Sequence, residues 1–282
     1  MTELLQYDFM RYALLAGLLA SLVCGIIGSL VVVYRIVFLA GGIAHTAYGG
    51  VGVAFYFGFS PFLGALGACL TAALALSGIT LRKKDRSDAV VGALWAAGMA
   101  VGILFADLTP GYRADLMSTL FGSILTVSLP DLVLSGGAAL TVLALVAWNY
   151  QDFLALAYDE AFARTRGVAT GRLHTLVLVL TALAVVVLIR VVGLILVIAL
   201  LTIPPYLAER RSRSLGGMMV LSTLYSGAFV LVGLALSYRF DLSSGATIIL
   251  VASGVFLLDA VLRSLQGRGG QAGRSSQGGA GR

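Results

Sequence analysis

The stretch Phe38-Leu39-Ala40-Gly41-Gly42-Ile43-Ala44-His45-Thr46-Ala47-Tyr48-Gly49-Gly50-Val51-Gly52 lies in a run from Ile36 to Gly58 with no ionisable group except tyrosine and His45. Roughly 20 helical residues at ~1.5 Å each cross the ~30 Å of bilayer hydrocarbon, so this run is long enough to span. His45 falls near its middle. At that depth an imidazole meets water only if the protein supplies a cavity, which makes an intramembrane ionisable residue a candidate functional site. The plain alternative is a neutral ring hydrogen-bonded to a carbonyl or hydroxyl of a neighbouring helix. Gly41, Gly42, Gly49 and Gly50 remove side chains around it, so a helix or a passing ligand can approach the backbone.

The rest of the chain has the same character. Of 282 residues, 59% are hydrophobic and 11% charged, against about 25% charged in a soluble domain. The expected fold is an all-α polytopic membrane protein. Cys24 and Cys69 both lie in apolar runs and suggest no disulfide framework; paired Cys/His spacing for structural zinc is absent. A net charge of +6 does not indicate nucleic acid, because the charges sit in short loops between apolar spans. Met1 to Asp8 carries Glu3 and Asp8 and no Lys or Arg, so it lacks the positive region of a cleaved signal peptide.

The apolar runs are approximately Phe9–Tyr34, Ile36–Gly58, Pro61–Leu81, Asp88–Ala106, Leu129–Tyr150, Leu173–Ile189, Val191–Leu207, Leu215–Tyr238 and Gly245–Leu262. They predict about nine transmembrane helices. Eight result if residues 173–207 form one long broken helix rather than two split near Arg190. With nine spans and the Arg82–Arg86 loop cytoplasmic, Arg11, Arg113, Arg190 and Arg239 lie outside. The other 15 of the 19 Lys and Arg residues (19 less these four) lie inside. That is the bias of the positive-inside rule, and it puts the N-terminus outside and the C-terminus in the cytoplasm.

Gly64 with Ala68, and Gly98 with Gly102, have helix-contact spacing; in lipid, close backbone packing must replace the hydrophobic drive between helices. Thr109-Pro110-Gly111 reads as a turn, and Leu116 to Val127 as a short outer or re-entrant helix. Pro130 and Asp131 suit the first turn of the next span. Between Gln151 and Arg172, residues Ala161 to Arg166 are helix-compatible and Gly167 suits a C-terminal cap. Such a helix either lies at the headgroups or docks a soluble partner. Residues 1–264 read as one transmembrane domain. The Gly/Ser/Gln/Arg tail of 265–282 cannot bury a core and is expected to be disordered.

Together these segments resemble the membrane permease subunit of bacterial and archaeal ATP-binding-cassette importers for manganese, zinc or iron. Tyr7 to Leu19 resembles the family's first span, and Gly41 to Gly50 its histidine motif. Leu120-Phe121-Gly122-Ser123-Ile124-Leu125 is similar to its short outer segment. Tyr158-Asp159-Glu160-Ala161-Phe162-Ala163 with Gly167 is similar to its cytoplasmic coupling segment. Val192 to Pro205, and Gly233 to Tyr238 with Asp241, complete the resemblance, which covers about Tyr7 to Leu262.

The resemblance implies a permease that is not itself an enzyme, sits in the cell (inner) membrane, and pairs with a second copy of itself. It implies partners too: cytoplasmic ATPase subunits that use the ATP, and an extracytoplasmic metal-binding protein that delivers the ion. The chain itself would bind no cofactor, a divalent metal ion being its transported substrate. It has no Gly-x-x-x-x-Gly-Lys-Ser/Thr phosphate loop, so hydrolysis would come from the partner. By the resemblance, His45 lies on the metal path. Asp159, Glu160, Ala161, Ala163 and Gly167 couple to the ATPase, and Gly41, Gly42, Gly49, Gly50 and Ser123 line or close-pack the path. Many members carry aspartate where this chain has Gly41 and Ser123, so the anionic half of the usual cation site is missing here. Met99, Met117, Cys24 and Cys69 are lone sulfurs suited to packing, and His174 reads as interfacial. Two rival classes are a stand-alone cation carrier or channel and a non-transporting membrane scaffold. Proton-coupled carriers usually place carboxylates within their spans; here Asp131 and Asp259 lie near span ends.

Overall fold

Val, Leu, Ala and Gly fill the runs between charged turns, and backbone groups surrounded by lipid must be satisfied within the segment, so each run closes into a helix. The computed structural model describes residues 8–82, 87–109, 122 and 124–275. In chain order the helices are α1 (Asp8–Val33), α2 (Val37–Phe57), α3 (Pro61–Arg82), α4 (Ser87–Leu108), α5 (Leu129–Trp148), α6 (Tyr150–Tyr158), α7 (Glu160–Thr165), α8 (Thr170–Val192), α9 (Leu194–Glu209), α10 (Leu215–Phe240) and α11 (Ser244–Ser275). A single 3-10 turn, Ile124–Thr126, precedes α5. No strand occurs among the described residues. The fold is all-α and polytopic.

Eight of the helices are long and apolar enough to cross a membrane; α9, with 16 residues, is shorter. It corresponds to the seventh run of the sequence. The break near Arg190 is real: α8 and α9 are separate helices joined at Gly193, which has φ +82. One end of the bundle gathers Ser60, Pro61, Asp131 and Arg190 around a cavity. The other gathers Val33, Tyr34, Leu81 and Thr170, and beside Val33 lie Glu209 and Leu215. Helix α9 therefore returns from the Arg190 end toward the Val33 end, while eight of the described helices have full spanning length.

The core has two lobes sharing one wall. Helix α1 is enclosed by α5, α9 and α10, while α2 is enclosed by α3, α4 and α8; α8 touches both α1 and α2. Glycines set the closest approaches. A Cβ at Gly28 would lie 2.6 Å from the Leu201 carbonyl oxygen of α9, and one at Gly233 2.5 Å from Ile248 Cγ1 of α11. Ion pairs pin the ends: Arg190 to Asp131 at 3.2 Å joins α8 to α5, and Arg211 to Asp259 at 3.4 Å joins the α9–α10 turn to α11. At the start of α5, Ser128 and Asp131 form a capping box, and Pro130 and Asp131 lie in the first turn, as the sequence suggested.

Of the expected outer helix, Gly122 and the turn at Ile124–Thr126 are described. Ile124 is buried, and it lies against Gly17, well inside α1. Ser123 and Leu116 to Phe121 lie outside the described residues. The expected tail begins at residue 265, yet the helix axis of α11 runs on to Ser275; residues 276–282 lie outside the described ones.

Candidate functional site

Helix α2 carries the site because it is flanked closely on both sides. Toward α4, a Cβ at Gly49 would sit 2.8 Å from the Gly98 carbonyl oxygen, and one at Gly52 2.6 Å from that of Gly102. Toward α3, Gly50 packs directly on the Gly64 carbonyl, and its Cβ would meet that of Ala68 at 2.7 Å. The helices approach nearly backbone to backbone, as small residues in lipid allow. The Thr46 hydroxyl donates to the Ile43 carbonyl at 2.7 Å, and the Cys69 thiol of α3 donates to the same oxygen at 3.3 Å. Cys69 is thus engaged in packing.

On the α4 side the His45 ring faces Trp95. Their centroids are 4.6 Å apart with planes tilted by 40°. Phe38 also packs on Trp95, 5.1 Å between centroids. The indole fills the space that Gly41 and Gly42 leave open. A Cβ at Gly41 would be 2.6 Å from Trp95 Cζ2, and one at Gly42 3.3 Å from Trp95 Nε1. His45 Nδ1 and Trp95 Nε1 are both buried and make no hydrogen bond among the described residues. The simple packing alternative for His45, a ring whose nitrogens are served by a neighbouring helix, is therefore not met at Nδ1.

An unprotonated Nδ1 offers one lone pair to a cation or a proton. Among the described residues no group of three or more His, Cys, Asp and Glu side chains could hold a metal ion. The arrangement can touch a passing ion; a lone imidazole is not a resident metal centre.

The second group of expected residues lies at the Val33 end, outside the spans. Asp159 caps α7, its Oδ1 accepting from the Ala161 and Phe162 amides at 2.7 and 3.3 Å. Glu160 accepts from Arg164 at 2.6 Å, and Arg164 Nε donates to Thr170 at 3.3 Å. Ala163 is fully buried, while Phe162 and Tyr158 are exposed. Gly167 takes φ +79 just past the helix, a conformation costly for a residue with a Cβ. The expected helix and cap are both present.

What the sequence did not show is how this segment is attached. Phe153 of α6 is fully buried beneath it. The Tyr34 hydroxyl, at the end of α1, donates to the Phe153 carbonyl at 2.8 Å, and the Gly216 amide of α10 donates to the Tyr150 hydroxyl at 2.9 Å. Burial pushes the Tyr34 phenol above its usual range, so it stays a donor well into alkaline pH. These partners are 119 and 66 residues apart in sequence, beyond any local signal. For Trp95 a signal existed: tryptophan usually sits at the membrane interface, and this one lies well inside an apolar run. His174 donates to or accepts from Thr80 at 2.9 Å near the same end as Tyr34. The two site regions are separate. His45 lies about 14 Å along α2 from Ile36, at ~1.5 Å per residue.

The family described as "ABC 3 transport family" matches residues 6–263. An uncharacterized membrane protein of Synechocystis sp. is 46% identical over 263 residues, covering 93% of this chain and 94% of the relative. The manganese transport system membrane protein MntC of Halalkalibacterium halodurans is 31% identical over 256 residues, covering 91% and 88%. Among solved structures, PsaBC from Streptococcus pneumoniae in complex with Fab superposes with a TM-score of 0.81 at 28% identity, covering 90% of this chain and 92% of that one.

Proposed function

The chain belongs to the ABC 3 transport family, and from that premise we propose that it is the permease subunit of an ATP-driven importer of divalent metal ions, working as a pair of copies. The observation that carries this reading is the likeness, over nine-tenths of the chain, to a manganese transport system membrane protein. Manganese, zinc or iron is the substrate class.

His45 is the group on α2 that meets the ion. A site that only passes an ion along must release it as readily as it takes it, and a single imidazole without a neighbouring carboxylate suits that task. Gly41, Gly42, Gly49 and Gly50 keep the helices around it close.

Energy reaches the spans through α6 and α7. The capped, salt-bridged helix of Asp159, Glu160, Ala161 and Ala163, ended at Gly167, presents Tyr158 and Phe162 outward to a soluble ATPase subunit. Phe153, Tyr34 and Tyr150 tie the same segment to α1 and α10. Hydrolysis belongs to that partner, and an extracytoplasmic metal-binding protein supplies the ion at the opposite end. The excess of Lys and Arg at the Val33 end makes it cytoplasmic in the cell (inner) membrane, with the N-terminus outside. Residues 1–264 form the permease domain and 265–282 a cytoplasmic tail.

Copurification tests the reading. Expressed together with a nucleotide-hydrolysing partner subunit, the chain is expected to elute in a complex holding two copies of each. A chain that purifies alone and carries metal by itself would instead be a carrier, and one that does neither a scaffold.

A further inference from the structure

We propose that Trp95 is the gate of the His45 path: its indole fills the position beside the imidazole that a cation must take, and it withdraws with α4 when the path opens. The inference rests on the permease reading above and adds to it the residue that closes the path.

Three observations meet at this point. The first is steric. Gly41 and Gly42 leave a gap on the α2 face next to His45, and the indole occupies it, so near that a Cβ at Gly41 would lie 2.6 Å from Cζ2. No cation fits between ring and backbone while it stays there. The second is polar. His45 Nδ1 and Trp95 Nε1 are both buried without a hydrogen-bond partner among the described residues. In a dry interior each such orphan carries its full desolvation cost. Two of them side by side mark an arrangement that serves neither group and gains from being opened, to water or to an ion.

The third observation concerns what can move. Helix α4 packs almost wholly on α2 and scarcely touches α3, and its own spanning window is the least buried of the eight. Its interface with α2 is lined by Gly49, Gly52, Gly98 and Gly102. At those four glycines the two helices meet nearly backbone to backbone, while Tyr48 of α2 and Val91 of α4 reach across beside them, so α4 would shift on α2 as one body. The same shift carries Trp95 off His45.

The chemistry separates the two side chains into distinct roles. Indole Nε1 is a donor only and cannot ligate a cation, whereas an imidazole nitrogen can. Trp95 therefore blocks the path without ligating the ion, although its ring face can attract a cation once it has turned aside. A tryptophan that serves only to fill the core usually finds a partner for its N–H when buried. This one finds none among the described residues.

The test uses the complete complex with its ATPase in sealed vesicles that entrap a chelator dye quenched by manganese(II). ATP-driven uptake by the unaltered complex comes first, and its absence would refute the permease reading rather than the gate. Trp95→Ala is expected to let manganese in without ATP at least tenfold faster than the unaltered complex, and Trp95→Phe, which keeps most of the bulk, to stay tight. A Trp95→Ala complex as tight as the unaltered one overturns the gate. Should that variant fail to assemble, a second measurement decides. The chain has two tryptophans, and Trp148 is 87% exposed, so Trp148→Phe leaves Trp95 as this chain's sole indole reporter, with the partner subunits' tryptophans likewise replaced. Its emission should shift to the red when ATP and vanadate trap the cycle, as the ring leaves its dry contact with His45. Emission identical in the resting and trapped states overturns the proposal.

Discussion

His45 and Gly50 are only five residues apart on α2, yet substitutions there should fail in different ways. His45→Ala removes the imidazole from a partly buried position, and the helices that flank it touch mainly through glycine. Assembly should persist while ATP-driven metal uptake falls at least about tenfold, some 1.4 kcal/mol of lost stabilisation along the path. Unchanged uptake would return His45 to packing. Gly50→Val instead pushes a branched side chain onto the Gly64 carbonyl and Ala68, and should cost ~1–3 kcal/mol or more in overpacking. Yield and thermal stability in detergent read that loss. The imidazole was legible in the sequence because a lone ionisable group stands out in an apolar run. Trp95 over it was not, since periodicity tells which residues share a face but not which helix covers it.

Among elements, α6 and α7 make the sharpest case. The helix-compatible residues Ala161 to Arg166 and the glycine at 167 announced a short helix locally. Its anchorage was invisible, because Tyr34 to Phe153 and Gly216 to Tyr150 are pairings made by the tertiary fold. Each hydrogen bond contributes a net 0.5–1.5 kcal/mol or so, little beside the whole bundle. Tyr34→Phe and Tyr150→Phe should therefore leave folding and basal ATP hydrolysis nearly intact while lowering the metal moved per ATP hydrolysed, most clearly in the double variant. A proportional fall in both quantities would instead make the tyrosines structural. The α8–α9 break is the complementary case. Arg190 in the middle of a 35-residue apolar stretch (residues 173–207) suggested two spans, and Gly193 supplies the φ +82 at which the chain turns. The short length of α9 was legible as well, since the run Val191–Leu207 counts 17 residues against 16 in the helix.

For the molecule as a whole, composition alone indicated an all-helical membrane protein, and the loop charges supply the orientation proposed for it. Lipid leaves the chain few options: backbone groups must be satisfied within each segment, so apolar runs translate almost directly into helices. Which helices enclose which is set by small-residue contacts, and those are spread too evenly along this glycine-rich sequence to be paired by eye. On the reading proposed above, the molecule so assembled is a metal path driven by a partner's ATP hydrolysis through α6 and α7. The most direct measurement is manganese, zinc or iron uptake into sealed vesicles holding this chain with and without its ATPase partner. The account predicts accumulation only when the partner and ATP are both present. Accumulation by the chain alone would contradict it.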